Sequence, residues 1–97
     1  MLLNALDMNA EGYDVRIVIE GAATKLIPEL ATGGNPLYSL YNNAKEKKLI
    51  DGVCWACSHK MGTLKDAEAQ GLRLLDDMSG HPSITNYKEQ GFQIITF

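Results

Sequence analysis

The segment Val15-Arg16-Ile17-Val18-Ile19 limits the fold of this chain more than any other stretch. Val15, Ile17, Val18 and Ile19 are all apolar and β-branched, and only Arg16 interrupts them. A strand with one wet face alternates apolar and polar residues. A continuous apolar run instead suits a strand covered on both faces, as in parallel sheets. Covering both faces requires helices on each side, so the rest of the chain must supply them.

It does. Residues 1 to about 11 read as a helix with Leu2, Leu3, Ala5 and Leu6 as its apolar patch and Gly12 as its stop. Residues 22–30 read as a short helix that Pro28 weakens, because proline has no N–H to donate. Thr32-Gly33-Gly34-Asn35 is a loop, with Asn35 as N-cap and Pro36 at the first helical position. Leu37, Leu40, Tyr41 and Ala44 then follow at i, i+3, i+4 and i+7, one face of a helix. Residues 49–55 read as a second strand, and 56–62 as a tight connection or a first helical turn. Thr63 with Asp66 resembles a capping box for a helix to about Gln70. Leu72–Leu75 is a short strand, Asp76–Gly80 a loop, His81-Pro82 the opening of a helix to Gln90, and Phe92–Phe97 a final strand. Alternation of this kind predicts an α/β architecture, although the chain opens in a helix where such sheets normally open with a strand.

Ninety-seven residues allow one hydrophobic core, hence a single domain over 1–97. Apolar residues at 45% and charged residues at 22% are ordinary for a folded domain. The formal charge of −3 argues against nucleic-acid or anionic-membrane partners, which call for a basic face. Lys45, Lys47 and Lys48 form the basic cluster, and a solvated helix end accounts for them. No apolar run approaches the ~20 residues that span a bilayer, and Asp7 interrupts the first apolar stretch too early for a signal peptide. The two cysteines, Cys54 and Cys57, form one close pair, a usage that suits a reducing compartment. The expected location is the cytoplasm.

The chemistry concentrates in Val53-Cys54-Trp55-Ala56-Cys57-Ser58-His59-Lys60-Met61-Gly62. The cysteines fall at the carboxyl end of a predicted strand, just before a helix, where open α/β sheets collect reactive groups. The thiolate is the nucleophile, and unpaired helix N–H groups, Lys60 or a protonated His59 would favour it. Cys54 also reads as a small buried hydrophobe. A thioredoxin-like site would sit after the first strand, not past the middle of the chain. Cys54, Cys57, His59 and His81 reach the ligand count of a zinc site, but a strand end is not a zinc knuckle, so no metal is expected. His81, between Gly80 and Pro82, reads as loop geometry or as a polar wall beside the thiols. Trp55 reads as packing or as part of that wall. Asp76 and Asp77 read as a solvated loop, and Gly33-Gly34 lacks the spacing and lysine of a phosphate loop.

The stretch from Val53-Cys54 to Gly62, then Glu68-Ala69-Gln70-Gly71-Leu72, then Phe92-Gln93-Ile94-Ile95-Thr96-Phe97 resembles the DsrE/DsrF-like family of small sulfur-relay proteins. Cys54 falls on that family's sulfur-accepting cysteine, and Met61-Gly62 on its turn. Cys57 stands where the better-known relay members carry a small residue. The segments Val15–Gly21 and Gly80-His81-Pro82-Ser83 look closer to an uncharacterised branch with a paired cysteine. The resemblance implies a three-layer α/β/α sandwich with a mostly parallel sheet, here without the family's first strand. It also implies a homo-oligomer, often a trimer or hexamer.

The resemblance implies a sulfur carrier or sulfurtransferase. Cys54 would take up sulfane sulfur as a persulfide from a donor protein and pass it to an acceptor protein. Cys57 would resolve or assist, and Trp55, His59, Lys60 and His81 would line the site. No cofactor is implied. Two other classes stay open: a thiol–disulfide redox module, or a non-catalytic subunit that binds a ligand, zinc or a protein. Against the redox module, residues i and i+3 of a continuing strand lie ~10 Å apart, too far to bridge. The pair can close only if helix begins by Ala56.

Overall fold

In the computed structural model, which describes residues 1–96, the β-branched run supplies strand β1, Ile17–Ile19. It pairs in parallel with β2, Ile50–Cys54, and β2 pairs in parallel with β3, Leu74–Leu75. The order is β1-β2-β3. The chain is α/β, an all-parallel sheet with helices in both connections, as an α/β sandwich requires. The ladder begins at Ile17, so Val15 lies outside it and β1 is shorter than the apolar run, and its register slips between Ile17 and Val18.

Helix α1 spans Leu2–Ala10 and buries Ala5. The single helix expected over 22–30 is two pieces, a 3₁₀ helix at Gly21–Leu26 and then α2 at Ile27–Leu30. The break puts Pro28 in the first turn of α2, where its missing N–H goes unnoticed. Helix α3, Tyr38–Glu46, begins later than Asn35 and Pro36 suggest. Asn35 acts two residues upstream, its Oδ1 accepting the Leu37 N–H at 2.8 Å. Tyr41 and Ala44, from the predicted apolar face, are buried with Ile17, Ile19, Ile27, Leu49, Val53 and Ala67 in one core. The Tyr41 hydroxyl donates to Gln70 Oε1 at 2.5 Å, and Gln70 Nε2 donates to the Ile27 carbonyl at 3.0 Å. Burial pushes the Tyr41 phenol up to about 12.

Beyond β2 come α4, Trp55–Met61, and α5, Leu64–Ala69. The expected capping box at Thr63 does not form. Thr63 is buried, and its hydroxyl donates to the Thr24 carbonyl at 2.9 Å, tying the α4–α5 turn to the 3₁₀ helix. Helix α6, Ile84–Glu89, starts after His81-Pro82, with Ser83 Oγ accepting the Asn86 N–H. The expected final strand is absent over 92–96, and Phe97 lies outside the described residues. Phe92 is held otherwise: its N–H bonds the Tyr87 carbonyl, and its ring lies 5.1 Å from the Arg16 guanidinium carbon. Tyr87 in turn donates to the Asp51 carboxylate, which also faces Arg16 at 3.7 Å and Arg73 at 3.2 Å. Among the described residues, no helix is long and apolar enough to cross a membrane.

Candidate thiol site at the end of the central strand

Strand β2 stops at Cys54 because the next residue is already helical. Cys54 keeps extended backbone angles (φ −60°, ψ 122°) and is the N-cap of α4. N-caps are normally Ser, Thr, Asp or Asn, whose oxygen accepts a free helix N–H. Here sulfur takes that place, and the Cys57 N–H points at Cys54 Sγ from 3.4 Å. The early helix start removes the distance objection to a bond between the thiols, because Cys54 and Cys57 are one helical turn apart.

The third member comes from the segment after β3. Met78 and His81 form an antiparallel bridge, each N–H bonding the other's carbonyl at 2.8 and 2.9 Å. Between them, Ser79 and Gly80 both have positive φ, 52° and 87°, the signature of a tight type I′ turn. The turn docks on the start of α4: the Ala56 N–H bonds the Gly80 carbonyl at 2.8 Å. The result places His81 Nδ1 3.2 Å from Cys54 Sγ. Cys54 Sγ, Cys57 Sγ and a His81 ring nitrogen all lie within 4.8 Å of one another.

Accessibility is graded across the three. Cys54 is fully buried, Cys57 half-buried and His81 exposed. Burial pushes the Cys54 thiol above its ordinary range, and the neighbouring Cys57 thiol adds to this. The Cys57 backbone N–H acts in the opposite direction by favouring the thiolate. His81 Nδ1 is within hydrogen-bond reach of the Cys54 sulfur, with the donor and acceptor roles set by the ring tautomer. A cleft of about 280 Å³ beside His81, lined also by Glu20, Pro82 and Ser83, opens this side to solvent.

The other residues expected at the site are elsewhere occupied. His59 stacks on Trp55, with ring centroids 5.2 Å apart and planes 8° off parallel. That i,i+4 pair leaves His59 outside the thiol cluster. Lys60 is exposed and makes no hydrogen bond or ion pair with the thiols. Trp55 instead packs against Gly80, so it buttresses the turn that carries His81. Asp77 also serves that segment, accepting from the Ser83 N–H at 3.3 Å and from Asn86 Nδ2 at 2.6 Å. The Ser79-Gly80 turn is the part that sequence reasoning missed. Its signal was the Ser-Gly dipeptide followed by His81, a turn pattern read there only as loop.

The turn makes a direct prediction. A side chain at Gly80 would sit at positive φ, with its Cβ 3.4 Å from Ala56 Cβ. We expect Gly80→Ala to cost about 1–2 kcal/mol from the left-handed backbone alone. In a domain of this size that lowers Tm by about 4–16 °C. Thermal melts followed by circular dichroism check this, and an unchanged Tm would show that the turn does not hold its geometry in solution.

Comparison with known proteins places this chain among archaeal relatives. It is 32% identical over 94 residues to the uncharacterized protein MJ0733 of Methanocaldococcus jannaschii, covering 97% of this chain and 74% of that protein. It is 49% identical over 37 residues to an uncharacterized protein of Archaeoglobus fulgidus, covering 38% of this chain and all of that protein. No protein-family model matches the chain. No solved structure matches it.

Proposed function

The chain belongs to the same family as MJ0733 of Methanocaldococcus jannaschii, and for this member we propose a cytoplasmic sulfur carrier that holds sulfane sulfur as a persulfide on Cys54. One observation carries the reading: a buried thiol with an imidazole nitrogen 3.2 Å away and a helix N–H aimed at its sulfur. Burial keeps a persulfide from hydrolysis and stray thiols, while His81 takes the proton that uptake requires. The resemblance of the Cys54–Gly62 segment to DsrE/DsrF-like sulfur-relay proteins points the same way.

The step balances simply. The Cys54 thiolate attacks the terminal sulfur of a donor persulfide, forming a new S–S bond. The donor's own S–S bond breaks, and the donor leaves as a thiolate. Transfer onward repeats the exchange with an acceptor thiolate. Cys57, the more accessible thiol, assists entry. It can also attack the inner sulfur of the Cys54 persulfide, closing a Cys54–Cys57 disulfide and expelling hydrosulfide. A dithiol reductant then restores the pair. Donor and acceptor are proteins in this reading. The apolar side chains left exposed at Leu3, Leu37 and Ile95 support self-association into a trimer or hexamer.

Intact-mass spectrometry tests the reading, with chelator present and a small-molecule persulfide as donor. Wild type and Cys57→Ser should gain one sulfur mass, and Cys54→Ser should gain none. Serine keeps an N-cap acceptor for the Cys57 N–H at this buried position, and circular dichroism checks that Cys54→Ser folds. An adduct kept in Cys54→Ser and lost in Cys57→Ser would reverse the roles. No adduct in any form would sink the proposal.

A second reading has its own observation. Helix begins at Trp55, so the two thiols lie close enough to form a disulfide after a small adjustment. A thiol–disulfide redox module would then show a Cys54–Cys57 couple within the cellular potential range and take up no sulfane sulfur.

A further inference from the structure

The same three side chains meet a second requirement that is independent of sulfur transfer. Zinc bound by two thiolates and an imidazole has Zn–S distances near ~2.3 Å and Zn–N distances near ~2.0–2.1 Å. At tetrahedral angles these lengths separate neighbouring donor atoms by roughly 3.5–3.8 Å. Cys54 Sγ and His81 Nδ1 are 3.2 Å apart, and the whole set fits within 4.8 Å. Bringing the three donors onto one ion therefore takes shifts of about 1 Å or less.

The donors are also mounted as a metal site needs. Cys54 and Cys57 are fixed one turn apart by the start of α4. His81 is held by the type I′ turn that bonds to that same helix through Ala56. Sequence spacing had argued against zinc because a strand end is not a zinc knuckle. In space the four candidate ligands reduce to three, Cys54, Cys57 and His81, with His59 outside the cluster, and a turn rather than a knuckle brings them together. Charge decides which ion fits. A divalent ion with two thiolates and a neutral imidazole is electrically neutral, which suits the buried Cys54 sulfur. A monovalent ion such as copper(I) would leave a net negative charge there.

We propose that Cys54, Cys57 and His81 form a three-ligand zinc site with an open fourth position. The fourth position would take water or a substrate thiolate, as in zinc sites that keep an exchangeable ligand. The metal and the persulfide need the same Cys54 sulfur, so zinc would hold the carrier in a closed state until it is removed. The site itself goes beyond the sulfur-carrier reading and does not depend on it; only this closed state rests on that reading.

Metal-free, fully reduced protein is titrated with cobalt(II), and no sulfur donor is present. Wild type should develop thiolate-to-cobalt charge-transfer absorption and the strong visible bands of a tetrahedral ion, saturating at one equivalent. Zinc should then bleach them. His81→Ala and Cys57→Ser should each weaken cobalt binding at least tenfold, while His59→Ala should bind as wild type does. Circular dichroism checks that the variants fold. Zinc-loaded wild type should also resist maleimide at both cysteines, a readout that needs no variant. Absence of the charge-transfer band, or unprotected thiols at saturating zinc, would overturn the proposal. So would undiminished binding by folded His81→Ala. Because the persulfide assay is run in chelator and this one without donor, either reading can fail while the other stands.

Discussion

Gly52→Ala should be the most damaging single-methyl substitution in this protein. Gly52 lies in the middle of β2, between the two neighbouring strands. A Cβ built there would fall 2.6 Å from Leu75 Cγ and 2.7 Å from the Arg73 carbonyl oxygen. A side-chain tip can rotate away, but the carbonyl cannot, since it accepts the Val53 N–H at 2.8 Å in the β2–β3 ladder. The strands must separate or the ladder bond must break. Overpacking of a tight core typically costs about 1–3 kcal/mol and sometimes more. Total stability for a domain is about 5–15 kcal/mol, so the loss is a large fraction of it. Because the clash is with backbone, we place the cost at the upper end, about 3 kcal/mol or more, and expect Tm to fall by at least about 12 °C, at roughly 4–8 °C per kcal/mol. The damage should reach the thiol site too, because β3 leads directly into the turn bearing His81. A melt and a urea titration of Gly52→Ala decide the matter. A Tm within a few degrees of wild type would mean that β3 does not pair as described.

How far the sequence led depended on whether each feature was local. The β-branched run at Val15–Ile19 marked a strand correctly, since its pattern needs no knowledge of distant residues, although only Ile17–Ile19 pair and Val18 between them stays half-buried. The apolar spacing of Leu37, Leu40, Tyr41 and Ala44 marked α3 for the same reason. Cys54 and Cys57 stood out as a pair from their spacing alone. What decides their chemistry was not local. Whether the thiols can meet turned on one residue, Trp55, read as strand and found in helix. His81 was placed in a helix whose true start lies at Ile84, and only the earlier turn frees its ring to face Cys54. His59 looked like the nearer partner by sequence, yet its stack on Trp55 takes it away. Thr63 matched a capping pattern, but a buried carbonyl 39 positions upstream competed for its hydroxyl and won. Over 92–96 the expected final strand does not form, and its first residue, Phe92, is engaged instead by Tyr87 and Arg16 from other elements.

The graded burial of the two thiols gives a kinetic order that labelling can read. With iodoacetamide at pH 7, Cys57 should react first, and Cys54 at least tenfold more slowly. Two causes act together on Cys54. Its sulfur is buried, and burial holds its thiol above the ordinary range, so little thiolate forms. In Cys57→Ser the remaining thiol should stay slow at neutral pH and speed up only above the usual thiol range of about 8.5. The same shift fixes a sign for stability. A thiol whose folded pKa is raised supports the fold below its unfolded value, and that support is lost as pH rises through the folded value. Wild type should therefore weaken on the alkaline side, and Cys54→Ala, having no thiol to ionise, should weaken less over the same window. Peptide mapping of time-quenched samples gives the order directly. Cys54 labelled before Cys57 at pH 7 would mean that the inner thiol is open to solvent. The carrier would then offer its sulfur without a gate, and the assisting role proposed for Cys57 would have no basis.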